Sequence, residues 1–315
     1  MHYYLALALC FVGFKVIGQN PEYVTLSSGE DVVLYDDGTW TSRKDLNITK
    51  IKPSLMAKPS FKGNTLDSGK SVATVKLKKV FEERSESIYP DAWLKRNNLE
   101  LDRMVYSISP NTYSTMSTNI VKHYENALIT QHIVDSTYNY FIYEGKRNSG
   151  RYLLIMNKAL DSVVAALDFY YYQKAPVSRR YGYKGFGSFT SQGLAWLKCI
   201  NDTLYFSTHH RTYSDSSERK NAYVTCLDLK TKEVIWRSDP LVSNSSTFAI
   251  QGDHIFSGYG FTNEDDFLFG LNRFTGKVVL KHPLKKGPRY IIEKDNQLYV
   301  RTYNRNYVFN IILKD

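Results

Sequence analysis

The residues most able to do chemistry in this 315-residue chain lie in three polar stretches. His209-His210-Arg211 places two imidazoles side by side. Paired imidazoles bind transition metals, but a zinc centre takes three or four protein ligands at matched spacing. No third ligand stands nearby, so the pair reads as part of a solvated loop that contacts ligand rather than metal. Asn263-Glu-Asp-Asp266 offers oxygen ligands of the kind Ca²⁺ takes, without the spaced acidic pattern of a calcium loop, and reads as an acidic turn. Tyr170 to Phe189 interleaves aromatics with Arg and Lys. Such a stretch stacks on sugars or bases while its cations hold phosphate or carboxylate; alternatively Tyr170 to Tyr172 finish a strand and the rest packs across a neighbour. The candidate ligand-binding set is therefore Tyr172, Arg179, Arg180, Tyr181, Tyr183, Phe186, His209, His210 and Arg211.

Catalytic signatures are missing. The chain has no Gly-x-Ser-x-Gly elbow, phosphate loop, dinucleotide fingerprint, His-Glu-x-x-His or Cys-x-x-Cys-His. No cofactor or metal is expected, and no nucleic-acid-binding motif is present.

The elements that position these residues are strands. Ala222 to Trp236 reads as an alternating strand, an Asp228-x-x-Thr231-Lys232 turn and a second strand. The pattern returns at Phe267 to Leu280, with Asn272, Thr275 and Gly276 in the turn, and again at Tyr152 to Val164. A short acidic or amide side chain followed by Thr supplies the hydrogen bonds of a tight turn. Each unit has an upstream strand-turn-strand piece, aligned on Asp135, Asp202, Asp253 and Asp295 at separations of 67, 51 and 42 residues. Self-similarity of this kind signals a repeat architecture.

These residues resemble the pyrroloquinoline-quinone-like (PQQ-like) β-propeller repeat, with its Asp-x-x-Thr-Gly-x-x-x-Trp turn between the third and fourth strands. Trp236 keeps the terminal Trp; Leu280 and Ala165 replace it. The resemblance implies an all-β propeller of four to five four-stranded blades over residues 99–315. It does not carry quinone chemistry, because the quinone enzymes of this fold are much longer rings with a dedicated cofactor pocket.

The chain ends after the third strand of its last unit. An open strand edge invites aggregation, and propellers avoid it by closing the ring. A strand from before residue 127 is expected to fill the place, Ser71 to Val80 or Asp102 to Ser109, and a fifth blade assembled from N-terminal material is the alternative. Long connections at Glu144–Gly150, Tyr170–Gln192, His209–Asn221 and Tyr259–Asp266 fall on one face, which becomes the expected working surface.

Residues 1–18 read as a signal peptide: a run of twelve apolar or small residues from Tyr3 to Phe14 is too short for a bilayer span, which needs about 20. Cys10 behind Leu9 is a poor lipobox cysteine, which favours soluble export over a lipoprotein. Residues 19–98 form an N-terminal arm: a hairpin at Tyr23 to Trp40, similar to an Asp-Gly-Thr-Trp element near the start of many exported bacterial proteins, then a linker. The net charge is +10, or +9 without Lys15. Cys199 and Cys226 sit two strands apart, about 9.6 Å, beyond the roughly 7 Å a disulfide spans, so two free, largely buried thiols are expected. The readings that follow are an exported propeller binding a protein or glycan of the cell envelope through its loop face, with no stable membrane span; a carbohydrate hydrolase or lyase; or a scaffold subunit of an envelope assembly.

Overall fold

The computed structural model describes residues 22–28, 31–34, 40–42, 46–52, 74–85, 89–101, 103–105, 116–117, 119–125, 127–144, 150–178 and 191–314. Strands β1 (Glu22–Thr25), β2 (Asp31–Leu34) and β3 (Trp40–Ser42) form a small antiparallel sheet, with Glu22 opposite Leu34 and Leu34 opposite Trp40. Next come β4 (Thr49–Lys50), β5 (Thr74–Arg84), helix α1 (Asp91–Arg96), β6 (Arg103–Val105) and β7 (His123–Tyr124).

Four antiparallel meanders follow. The first is β8 (Ala127–Val134), β9 (Tyr138–Glu144), β10 (Tyr152–Asn157) and β11 (Val163–Asp168). The second is β12 (Gly193–Ile200), β13 (Thr203–His209), β14 (Tyr223–Asp228) and β15 (Val234–Arg237). The third is β16 (Ala249–Gln251), β17 (His254–Tyr259), β18 (Phe267–Asn272) and β19 (Val278–Pro283), and the last is β20 (Pro288–Lys294), β21 (Gln297–Thr302) and β22 (Arg305–Lys314). The first strands of all four gather around one central cavity, lined in part by Ile133, Trp196, Ile250 and Ile291. This is the arrangement of a β-propeller.

Local chemistry explains the turns. The β12–β13 turn holds Asn201 and Asp202 at φ 49° and 60°, and the β20–β21 turn holds Asp295 and Asn296 at 52° and 61°. Two left-handed residues in a two-residue turn match the twist of the flanking strands, and Asn and Asp tolerate that conformation. Leu229 N donates to Asp202 O, Arg273 N to Asp253 O and Ile311 N to Asn296 O. The fourth repeat therefore aligns on Asn296, one residue beyond Asp295. Between third and fourth strands, Asp228 Oδ1 accepts from Lys230 N and Thr231 N at 2.7 and 3.1 Å. Asn272 Oδ1 accepts from Phe274 N and Thr275 N at 2.9 and 3.1 Å, so the two turns share one mesh of bonds.

Strand alternation divides the core. Ile255, Phe269 and Leu271 of the third sheet join a cluster shared with the first two sheets, while Phe256 and Leu268 pack with Val300, Tyr307 and Phe309 of the fourth. Neighbours along a strand thus point to opposite sheets.

The fourth sheet is completed by β5, antiparallel to β22 from Arg84–Arg305 to Thr74–Lys314, with a bulge at Val80. Its described part, Thr74–Arg84, is strand to its end rather than strand then helical turn, because every residue of it has a ladder partner except at the bulge. β5 lies within the 19–98 stretch, so part of that stretch is built into the last sheet. Of the other N-terminal strands, β1 to β3 stay together in their own small sheet, while β4 runs parallel to β11, and β6 and β7 pair with β8, so these three extend the first sheet. Between them α1 rests on the fourth sheet, where the Arg301 guanidinium lies 5.7 Å from the Trp93 ring and donates to Tyr89 O. Tyr170–Gln173 is a one-turn 3-10 helix and not the end of a strand, since β11 stops at Asp168, whose side chain caps Tyr170 N at 2.9 Å. Both thiols are free; Cys226 is buried and Cys199 half-buried.

Candidate functional site

A cleft lies between the second and third sheets, on the long-loop face, with a volume of about 770 Å³. Three connections build it: β13–β14, β15–β16 and β17–β18. The first contains a 3-10 turn, Ser214–Ser217, then Glu218 and Arg219 at φ 53° and 60°, which double the chain back. Glu264 clasps the loops together. Its Oε1 accepts from Ser214 N and Oγ at 2.7 and 3.0 Å, and Tyr259 donates its hydroxyl to Oε2. Burial, reinforced by this carboxylate, pushes the Tyr259 phenol above its ordinary range. The acidic turn at Asn263–Asp266 thus spends one carboxylate on an inter-sheet clasp. Glu264→Gln will lower stability by about 1 to 3 kcal/mol, the cost of unmade buried hydrogen bonds. Denaturant unfolding, with proteolysis inside 210–222 as a local probe, checks it.

The floor of the cleft is apolar, formed by Leu241, Val242, Phe267, Phe269 and Val278. Its rim is polar and solvent-facing: Tyr213, Asp215, Arg219, Asp239, Asp265 and Lys281. Lys281 Nζ lies 3.8 Å from the Phe267 ring centroid, so its ammonium sits over the aromatic floor. Asp266 behind the rim has its carboxyl raised by burial. The arrangement suits a ligand with an apolar or ring-shaped body and polar groups at its edge.

The sequence candidates fall in different places. Arg179, Arg180, Tyr181, Tyr183 and Phe186 lie outside the described residues. Tyr172 is 1% exposed and packs edge-on to Phe169 and Phe206. His210 is 3% exposed, with Nε2 2.7 Å from Ser217 Oγ and its backbone amide donating to Asn221 Oδ1. His209 is half-buried with Nδ1 out of contact with solvent, whereas Arg211 is exposed. The imidazoles therefore support the β13–β14 connection from beneath, and the structure does not bring them to the rim. Alternation along β18 is the signal for Phe267 and Phe269; nothing local marks Leu241, Val242 or Asp239, which reach the cleft only through sheet packing.

Burial holds the His209 pKa down at about 3, with Arg211 and His210 adding to it, and holds His210 at about 4. Folded values below the unfolded one mean that the unfolded chain takes up protons first as pH falls. Their contribution is complete above about pH 6.5 and is lost as pH drops towards 4. The melting midpoint will fall across that window, and His209→Gln/His210→Gln will flatten the fall; an unchanged slope in the double variant refutes the assignment.

At one end of the first sheet, Arg151 Nε and Nη2 donate to Asp168 Oδ1 and Oδ2, each at 2.8 Å. The guanidinium lies between the Tyr152 and Tyr170 rings at 4.6 and 4.8 Å. Asp168 is 2% exposed and Arg151 partly solvated, so Asp168→Asn will cost about 2 kcal/mol, between the exposed and buried limits for such pairs. Thermal unfolding measures this, and a loss near zero contradicts it.

The central cavity, about 150 Å³, carries Glu100, Asp135 and Glu293 at its edge. Asp135 accepts from Thr137 N and Tyr138 N through Oδ1 at 2.8 Å each, and from Tyr140 OH through Oδ2 at 2.5 Å. Glu293 accepts from Asn296 N. Both carboxylates are thus engaged by their own turns. Among the described residues no three metal-ligating side chains cluster, and no helix is long and apolar enough to cross a membrane.

No family model matches the chain, and no curated protein matches it. Among solved structures it is similar to BamB from Moraxella catarrhalis, at 13% identity over 93% of this chain and 70% of that one, with a TM-score of 0.38. It is also similar to the quinohemoprotein alcohol dehydrogenase ADHIIG from Pseudomonas putida HK5, at 9% identity, 59% and 38% coverage and a TM-score of 0.32. The computationally designed Ika8 protein matches at 9% identity, 57% and 44% coverage and a TM-score of 0.37. The chain spans less than half the length of the last two. The fold assignment rests on strand order and register within this chain.

Proposed function

We propose that this protein is an exported binding module on a PQQ-like propeller scaffold, and that its ligand, a protein segment or a glycan of the cell envelope, sits in the cleft between the second and third sheets. The observation that supports this reading is the cleft itself: three long connections converge on one face around an apolar, aromatic floor with a rim of carboxylates and two cations, Arg219 and Lys281. Its volume lies within the range of about 300 to 1,000 Å³ common to ligand sites. Export is supported by the short apolar run at Tyr3 to Phe14.

The hydrolase reading needs two carboxylates free to act as acid and base. It is the weaker one at the central cavity, where Asp135 and Glu293 hold their own turns.

The test is a glycan-array and envelope pull-down screen with the protein and a Tyr213→Ala/Asp265→Asn/Lys281→Ala variant, whose substitutions lie on exposed rim side chains. The expected result is a ligand retained by the parent and weakened at least about tenfold in the variant at unchanged melting midpoint, the effect of losing one or two hydrogen bonds to charged groups. A ligand held equally by both overturns the cleft as the site. One lost only on deleting 175–188 moves it to the first-to-second link.

A further inference from the structure

Arg237, at the end of β15, repeats the setting of Arg151 with one part missing. Its guanidinium lies 3.5 Å from the Tyr223 ring centroid and 5.0 Å from that of Tyr172, an aromatic box like the Tyr152–Tyr170 pair around Arg151. In the Arg151 box the Nε–Nη2 edge grips both oxygens of Asp168. In the Arg237 box that same edge has no partner: Nε and Nη2 are both out of contact with solvent and unbonded. Burial lowers its pKa, and among the described residues the groups that act against this are Tyr223 and Tyr172, with no carboxylate beside them.

Two further polar atoms are left unpaired on the same face. Thr225 stands directly across the ladder from Arg237, and its Oγ1 is buried without a bond. The Tyr172 hydroxyl is likewise buried and unbonded. Each hydroxyl and both guanidinium nitrogens can donate, so the group is a set of donors awaiting an acceptor. A buried guanidinium without a counter-charge is strongly unfavourable, and proteins keep buried charges paired.

We propose that Arg237 binds a ligand carboxylate, side-on through Nε and Nη2, in a second site between the first and second sheets, with Tyr172 and Thr225 hydroxyls donating to the same anion. The planar edge matches the two oxygens of a carboxylate, as Asp168 demonstrates on Arg151. Tyr172 stands on the one-turn 3-10 helix and forms the gate: its ring covers the guanidinium, and the anion enters as that turn swings aside. The site is separate from the cleft, and its test uses none of the cleft residues.

The experiment is a melting series on the full chain with acetate or formate replacing chloride at constant ionic strength, beside sulfate and phosphate arms. A saturating rise with the carboxylates is expected in the parent. Tyr172→Phe, which keeps the ring, should weaken it about tenfold, the loss of one hydrogen bond to a charged group. Arg237→Gln should abolish it. Arg237→Met should raise the midpoint in chloride alone, since it removes an uncompensated charge. The proposal is overturned by equal rises in the parent and Arg237→Gln, by no rise in the parent, by sulfate or phosphate matching acetate through Arg237, or by Arg237→Met lowering the midpoint in chloride.

Discussion

Replacing Trp236 by Ala will destabilise the fold by about 3 to 5 kcal/mol, the cost of emptying a buried aromatic site. Trp236 is the next-to-last residue of β15, at 3% exposure, and its Nε1 donates to Arg273 O at 3.1 Å, across the boundary between the second and third sheets. Its ring lies against Gly276, at φ 71° in the β18–β19 turn: a Cβ there would stand 2.4 Å from Trp236 Cε3. The Tyr205 ring, 6.1 Å away, closes the other side. One side chain therefore joins two sheets through packing and a hydrogen bond that Ala cannot make. Gly276→Ala should disturb the same contact from the opposite side. Because the two residues touch, the double variant should lose less than the sum of the single losses, the extra methyl filling part of the cavity. Urea unfolding measures all three, and a Trp236→Ala loss below about 1 kcal/mol, the scale of a half-exposed contact, refutes the joint.

Deleting Thr74–Arg84 should convert the protein to insoluble or partly folded material. β5 is the outer strand of the fourth sheet, and without it the ten-residue β22 presents an open apolar edge. Val75 is buried with Phe309 and Ile311, and Leu77 packs beside them. Glu82 accepts from Lys285 Nζ and Arg305 Nη1, both at 2.9 Å, which ties β5 to the third-to-fourth link and to β22. Bonds from Lys79 and Lys285 lower its carboxyl to about 2. A folded value below the unfolded one means its contribution is present above about pH 4.5 and fades as pH falls towards 2. Val75→Asp is the milder test, costing on the order of 3 kcal/mol for an unpaired charge in an apolar layer. A soluble, cooperatively unfolding deletion variant would show that β22 needs no cover.

Much of this was legible because its causes are local. Asp228 and Asn272 hydrogen-bond to amides two and three residues on, so the turns are encoded within five residues. The missing strand of the last repeat could be counted, and β5 began inside one of the two stretches suited to fill it. The aromatic run Tyr170–Tyr172 was visible as composition, but its 3-10 turn depends on the Asp168 cap, and the Arg237 box depends on Tyr172 arriving from 65 residues away. His209 and His210 stood out by type, and only packing turned them inward.

The sequence alone determined the strands, their turns and the order of the meanders, since period-two alternation and short-range hydrogen bonds act within one repeat. Tertiary structure decided which strand completes the last sheet, that Glu264 clasps two loops above an apolar cleft, and that Arg237 meets two tyrosines and, among the described residues, no carboxylate. Those outcomes arise where different sheets face each other, and the side chains that meet there are set by the packing of whole sheets rather than by any neighbour in the chain.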